Sequence, residues 1–332
     1  MWIRDSGEAL RIFTGAPVPG GDEAPGGTVP GPDTILMQED CREEDGAVII
    51  PPGIRQGANH RKRGEDIAAG STILHQGDRL RPQDVAIATS VGLSELNVFA
   101  PLRVALFSSG DEIRDPGAPL AAGAIYDSNR YSLHALLEGL GCSVTDLGIL
   151  PDDLPLIRDA LEKAAATHDL LITSGGVSVG EEDHIRNAIE ALGGLHFWRL
   201  AIKPGRPLAL GQIGKVPFIG LPGNPVAVMV TFLRFARPAI LKLAGASWRD
   251  PRFFRVTAAF SHKKKSGRRE WVRVKLESAA DGSLQAHKFP RQGAGILSSM
   301  VAADGLVELP EDLTHLSEDT TVDFLPFTEV LT

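Results

Sequence analysis

Between residues 101 and 245, short strand-like runs alternate with helix-period apolar stripes, and that alternation leaves few folds open. Val104–Phe107, Val144–Leu147, Leu170–Thr173 and Phe218–Leu221 read as short strands. Leu133, Leu136, Leu137 and Leu140 fall on one face of an intervening helix. Leu154, Ile157, Leu161 and Ala164 do the same, as do Ile185, Ala188, Ile189 and Leu192. Strands alternating with such helices predict a three-layer α/β domain with a mainly parallel sheet and right-handed crossovers. Ligands of these sheets bind beyond the carboxyl ends of the strands. Residues 226–243 are apolar almost all round, which predicts a buried helix.

The flanking zones are patterned differently. Residues 1–100 mix short apolar runs with turns, and residues 15–33 hold eleven Gly or Pro, too many for a helix or a central strand. A helix is expected over Pro82–Val91, opened by Pro82. After about residue 248 the pattern alternates: Phe253–Ala259, Trp271–Leu276, Leu284–Phe289, Gly305–Leu309 and Thr321–Leu325, with Asp281-Gly282 as a turn. That predicts a small β-barrel or sandwich. The domain expectation is a partial, mixed α+β region over 1–100, an α/β domain over 101–247 and a β-domain over 248–332. The net charge of −8 argues against broad nucleic-acid binding but not against a small anionic ligand. Cys41 and Cys142 are the two cysteines, far apart, so neither a disulfide framework nor a zinc site is indicated and a reducing cytoplasm is expected. No apolar run reaches the roughly 18 residues of a membrane span, and the first residues do not read as a signal peptide.

Chemistry is expected where the strands end. Leu170–Thr173 is followed by Ser174–Gly180, small residues that let backbone N–H groups approach an anion, and then by Glu181, Glu182 and Asp183 before a helical stripe. Phe107 is followed by Ser108, Ser109, Gly110, Asp111 and Glu112. Asp127, Ser128 and Asn129 precede the Leu133 helix, and Gly220 to Pro225 follow Phe218. Each turn alone can be capping chemistry. Four on one rim, with adjacent carboxylates, suit a ligand better. Arg199, Lys203 and Arg206 supply cations nearby; if residues 196–202 are extended, Arg199 and Lys203 share a face. The charged run His60–Asp66 stands between a solvated loop and a site. His262–Lys265 with Arg268 and Arg269 reads as a surface hairpin. No Ser-His-Asp order or Cys-His pair stands out. Carboxylates, anion loops and cations suit phosphate and oxyanion chemistry assisted by a divalent metal.

On these residues the chain resembles the molybdopterin molybdenumtransferases, the MoeA type that also forms the E domain of gephyrin-like proteins. The matching segments run in family order: Thr14–Pro19, Met37–Asp40, Arg63–Asp66, Ser109–Glu112, Asp127–Asn129, Ser174–Glu181 with Asp183, Ile202–Gly205 and Leu221–Pro225. The resemblance implies insertion of molybdate into adenylylated molybdopterin, with AMP released and Mg²⁺ assisting. It implies Asp183 and Glu112 as the Mg²⁺ ligands, and Asp66, Asp152, Arg199 and Lys203 as members of the pterin and molybdate site. Substrate contacts are expected at Thr14, Ser109, Gly110, Asp111, Asp127, Ser128, Gly175, Gly176, Ser178, Arg206, Pro222, Gly223, Asn224 and Ser298.

The resemblance also implies a homodimer, with an adenylyltransferase and molybdoenzymes as partners. Family members carry a further N-terminal region that this chain is expected to lack, and an insertion is expected within Glu23–Asp33. Arg199 replaces the usual lysine, a fork in place of a point charge. The family's C-terminal glycine motif is replaced by Arg291–Gly295, leaving Ser298 or Ser299 as stand-ins for its serine. Two rival functions stay open: adenylyl transfer to molybdopterin, since that enzyme shares the Ser174–Gly180 and Leu221–Pro225 loops, and a non-catalytic scaffold.

Overall fold

The computed structural model describes residues 2–5, 7–20, 31–176 and 184–331. They form two compact units, Met1–His75 and Gln76–Thr332. In the first unit, Trp2–Asp5 lies between Glu8–Arg11 and Thr34–Leu36 in an antiparallel sheet. Ile12 and Ile35 form a small buried apolar cluster beside it, with Val18 packed against them, and Leu36 is buried as well. The segment 56–59 is stitched to this sheet: Ala58 O accepts from Ile35 N at 2.8 Å, and Asn59 Nδ2 donates to Ile35 O at 2.9 Å. Arg42–Glu44 and Ala47–Ile49 form a hairpin through Asp45 and Gly46, whose φ values of 48° and 78° match the tight turn that twisted strands favour.

The second unit is built on a six-stranded sheet in the order Gly193–Arg199, Pro207–Ile213, Val216–Leu221, Leu170–Ser174, Arg103–Ser109, Ser143–Leu150. The last four run parallel, as the alternation predicts. Pro207–Ile213 is antiparallel to both neighbours, so the sheet is mixed at that edge. Side chains alternate across it. Val104, Leu106, Leu170 and Ile172 pack under the helix Ser128–Gly139 and the segment Pro225–Leu243; Ala105, Phe107 and Leu171 pack under Leu154–Thr167 and His184–Leu192. Each buried leucine of these stripes contributes about 1.5–3 kcal/mol, so two filled faces make this the dominant core. The segment expected as one buried helix contains a wide π turn at Phe232–Ala236. Pro238 follows it and has no N–H to give the preceding turn, which the wide turn accommodates.

The C-terminal strands close on themselves. Arg269–Ser278, Leu284–Lys288, Phe254–Ala258, Thr321–Pro326 and Gly305–Leu309 pair in that order, and the last pairs back with the first. The barrel, one of two expected architectures, is the one found. Val256, Val272, Val274, Val307 and Phe324 fill its interior. Asp281-Gly282 turns as expected: Gly282 has φ 82°, and Asp281 Oδ1 accepts from Ser283 N at 2.9 Å. The surface reading of His262–Lys265 is corrected at Lys264, which is buried and donates to the carbonyls of Pro310 at 2.6 Å and Leu313 at 2.7 Å. The carbonyls of Pro310 and Leu313 point to one place in this turn, and the long stem of Lys264 brings its ammonium to them. No helix among the described residues is long and apolar enough to cross a membrane.

Candidate functional site

The carboxyl ends of the α/β strands form one rim, and most of the expected site residues stand on it. At its centre, Ser108 lies opposite Ser174 in the register of two adjacent parallel strands. Ser108, Ser109, Thr173 and Ser174 are all buried, four hydroxyls where the strands run out. The hydroxyls of Ser108 and Thr173 have no hydrogen-bond partner among the described residues, and neither has Oδ1 of Asn129. An unpaired buried hydroxyl costs about 1–3 kcal/mol, so such a cluster is unusual away from a site that supplies partners.

Backbone contacts lock the turns together. Gly175 N donates to Leu221 O at 3.1 Å, and Asn129 Nδ2 donates to Gly223 O at 2.7 Å. Gly176 has φ 63°, and a Cβ there would lie 2.5 Å from Ser109 Oγ and 2.6 Å from Ile185 Cδ1. A side chain at Gly110 would lie 2.5 Å from Glu112 Oε2, so that glycine lets the carboxylate fold back against the rim. Asn224 opens the helix Pro225–Thr231 without a side-chain capping bond, and Pro222 is buried beside it. Asp111 and Glu112 are exposed on the loop, and Asp152 is exposed at the end of the edge strand Ser143–Leu150. Ser178 and Asp183 lie outside the described residues, as does most of the expected insertion at 23–33.

Asp127 is held by its own helix. It is buried, its Oδ1 accepts from Arg130 N at 3.1 Å, and its Oδ2 accepts from Arg130 Nε at 3.1 Å. Capping and ion pairing occupy both oxygens, while Ser128 beside it is exposed. Arg130 also meets Asp146 and Asp115, so one buried guanidinium ties the helix start, the edge strand and the loop after Glu112. Nothing in the sequence marks this arginine, which sits in an ordinary helical position.

Arg199 and Lys203 do not share a strand face. The strand ends at Arg199; Leu200 N donates to Arg206 O at 2.8 Å and closes a turn over Pro204 and Gly205, neither of which continues a strand. Ile202–Lys203 instead pairs with Arg269–Glu270 of the barrel. Arg199 and Arg206 are exposed at the edge of the rim, and Lys203 Nζ donates to Glu270 Oε2 at 3.2 Å. Glu270 is buried and also meets His262 at 3.1 Å and Arg268 at 2.9 Å.

The barrel reaches the rim through its glycine loop. Ala294 O accepts from Val226 N at 2.9 Å, just beyond Leu221–Asn224. Buried Arg273 supports that loop, donating to Gly293 O at 3.1 Å and to Ser299 Oγ at 3.0 Å. Burial holds the Arg273 guanidinium down at about 10. Ser299 is therefore committed to Arg273 and to Ile296 O, and of the two candidate serines Ser298 is the exposed one. Thr14 and Asp66 are exposed residues of the N-terminal unit; Glu65 N donates to Lys62 O at 3.0 Å in the turn before Asp66. Among the described residues no group of three or more His, Cys, Asp or Glu is poised to hold a metal.

Buried Glu270 and partly exposed Asp146 both contribute to the acid limit of this unit. Burial pushes Asp146 and Glu270 up, but Arg130 outweighs it for Asp146, and His262, Lys203 and Arg268 outweigh it for Glu270, leaving both below their ordinary values of 3.8 and 4.5. A lowered carboxyl stabilises the fold fully above its unfolded value and loses that contribution as pH falls through the folded one. The melting temperature should stay level from neutral pH to about pH 5 and decline below it. A decline beginning at pH 6 or above would contradict this assignment.

Three family models cover the chain: the MoeA N-terminal region (domain I and II) over residues 3–92, a probable molybdopterin binding domain over 105–242, and the MoeA C-terminal region (domain IV) over 255–327. A molybdopterin molybdenumtransferase from Haemophilus influenzae is 37% identical over 328 residues, 98% of this chain and 79% of that protein. The chain belongs to the molybdopterin molybdenumtransferase family. These proteins are transferases of molybdenum cofactor biosynthesis. A relative of the same name from Nostoc sp. is 35% identical, covering 95% of this chain and 71% of its own. The crystal structure of a molybdopterin biosynthesis MoeA protein from Pyrococcus horikoshii OT3 superposes with a TM-score of 0.76 at 26% identity, over 97% of this chain and 76% of that one. The rim turns all fall in the molybdopterin-binding match, Thr14 and Asp66 in the N-terminal match, and Ser298 in the C-terminal match.

Proposed function

We propose that this molybdenumtransferase-family protein inserts molybdate into adenylylated molybdopterin and releases AMP. The observation that carries it is the distribution of charge and donors along one rim. Glycine turns and buried unpartnered hydroxyls occupy the centre, Arg199, Lys203 and Arg206 stand at one side, and Asp111, Glu112 and Asp152 stand at the other. The phosphates are assigned to the glycine turn at Gly175, Gly176 and Ser178, since small residues after a strand let an anion approach the backbone. The oxyanion lies toward Lys203 and Arg199, whose charges favour molybdate entry and orient it against the pterin. Asn129 Oδ1, which has no partner among the described residues, is open to the nucleotide, and Ser109 is assigned to the same ligand.

Hard oxygen donors are what the acidic side offers, and the Glu112 carboxylate folded over Gly110 fits a divalent cation of the Mg²⁺ type. Glu112 and Asp183 would hold Mg²⁺, which when bound neutralises charge on the phosphates. The working form is read as a homodimer, which sedimentation of the purified chain tests. Asp183→Asn and Glu112→Gln should each lower molybdate-dependent AMP release by about a hundredfold and raise the Mg²⁺ concentration needed for half-maximal rate. Unchanged turnover in either variant at limiting Mg²⁺ overturns its assignment to the metal.

A further inference from the structure

We propose that Glu270 is the positioning residue of the Lys203 ammonium, a buried carboxylate of the barrel that holds a cation of the α/β rim in place. This rests on the molybdate reading above and deepens it. An unanchored lysine samples many rotamers, whereas an oxyanion site needs its charge at one place. Three features supply the anchor. Ile202–Lys203 pairs in register with Arg269–Glu270, so the two side chains start from neighbouring backbone positions. Gly205 then packs so closely that a Cβ would lie 2.5 Å from Thr231 Cγ2, leaving the following turn no slack. Glu270 itself is 2% exposed and cannot swing away.

A further feature is electrostatic. Glu270 Oε1 is taken by Arg268, at 3.0 Å from Nε and 2.9 Å from the terminal nitrogen. Oε2 is shared between His262 at 3.1 Å and Lys203 at 3.2 Å. A simple lysine–glutamate pair would cancel the charge that an anion needs. Here Arg268 already balances Glu270, so Lys203 is oriented by the carboxylate while the group keeps a net positive charge. The side chains of His262 and Arg268 are 12% and 19% exposed, and that of Lys203 is 43% exposed. Of the three partners, Lys203 is the one most open to solvent.

The test is a double-mutant cycle on the full chain, with adenylylated molybdopterin as substrate, molybdate titrated and AMP measured. Lys203→Met and Glu270→Gln should each raise the molybdate KM about tenfold while kcat changes less than about threefold. The double variant should be no more than about twofold worse than the poorer single, because both changes remove one function. The upward shift in melting temperature that molybdate produces should shrink alike in all three. If Lys203→Met raises KM and Glu270→Gln does not, or if their factors multiply, the role of Glu270 is overturned and that of Lys203 stands. If Lys203→Met leaves KM unchanged, the placement of Lys203 at the oxyanion is wrong and Glu270 falls with it. Glu270→Asp covers the case in which glutamine unfolds the barrel: it keeps a charge for Arg268 and His262 but retracts it from Lys203. It should raise KM at a nearly unaltered melting temperature, and a wild-type KM there overturns the proposal.

Discussion

A Gly176→Ala protein should fold and yet lose molybdate-dependent AMP release by about a hundredfold, the scale on which small displacements of reacting groups act. Two effects combine at this position. A φ of 63° costs an alanine about 1–2 kcal/mol, and its methyl would also lie 2.5 Å from Ser109 Oγ and 2.6 Å from Ile185 Cδ1. The methyl therefore moves the hydroxyl at the centre of the rim and tilts the helix that follows the glycine turn. Gly175 is the internal control. Its φ is 79°, but the nearest atom to an added Cβ is Ser109 O at 3.9 Å. Gly175→Ala should carry the backbone part of the stability loss alone, with a much smaller loss of rate. Melting curves and initial rates for the pair separate strain from site geometry, and equal rates for the two variants would remove Ser109 from the site.

Arg130→Met should produce the largest fall in stability, about 3–5 kcal/mol, because it strands carboxylates gathered around one buried cation. The Arg130 side chain is 4% exposed and that of Asp127 3%, so water cannot replace the lost partner. The loop that carries Asp111 and Glu112 also loses its tether at Asp115. Adding Asp127→Asn to the variant should restore part of the stability, since it removes the charge left unpaired. Urea titration of the single and double variants measures both steps. A double variant less stable than the single would show that Asp127 serves mainly as a helix cap.

The α/β layer was legible in the sequence for a physical reason. Leu170–Ser174 is an almost unbroken apolar run, and Leu133, Leu136 and Leu137 repeat at helical spacing, so burial leaves its period on the residues. The rim was legible because sharp turns and close backbone approach select glycine, as at Gly110 and Gly176. What escaped was set by tertiary contacts. The antiparallel pair Gly193–Arg199 and Pro207–Ile213 mixes glycine and polar residues with no clear period, so its pairing shows only in space. Arg130 looks like any helical arginine, and Glu270 sits among Arg268, Arg269 and Trp271, where a charge run reads as solvated surface. Asp127 carries both a capping and a ligand signal, and its cap and ion pair to the neighbouring Arg130 show only in space. Ser298 and Ser299 are adjacent in sequence, and only Arg273 tells them apart.

AMP release is the most direct measure of the central claim. The purified chain is mixed with adenylylated molybdopterin and Mg²⁺, with and without molybdate, and AMP is followed with time alongside the molybdenum content of the pterin. AMP that appears only with molybdate, in step with molybdenum bound to the pterin, is the predicted result. AMP released at the same rate without molybdate would contradict it, as would formation of adenylylated pterin from ATP and molybdopterin in place of its consumption.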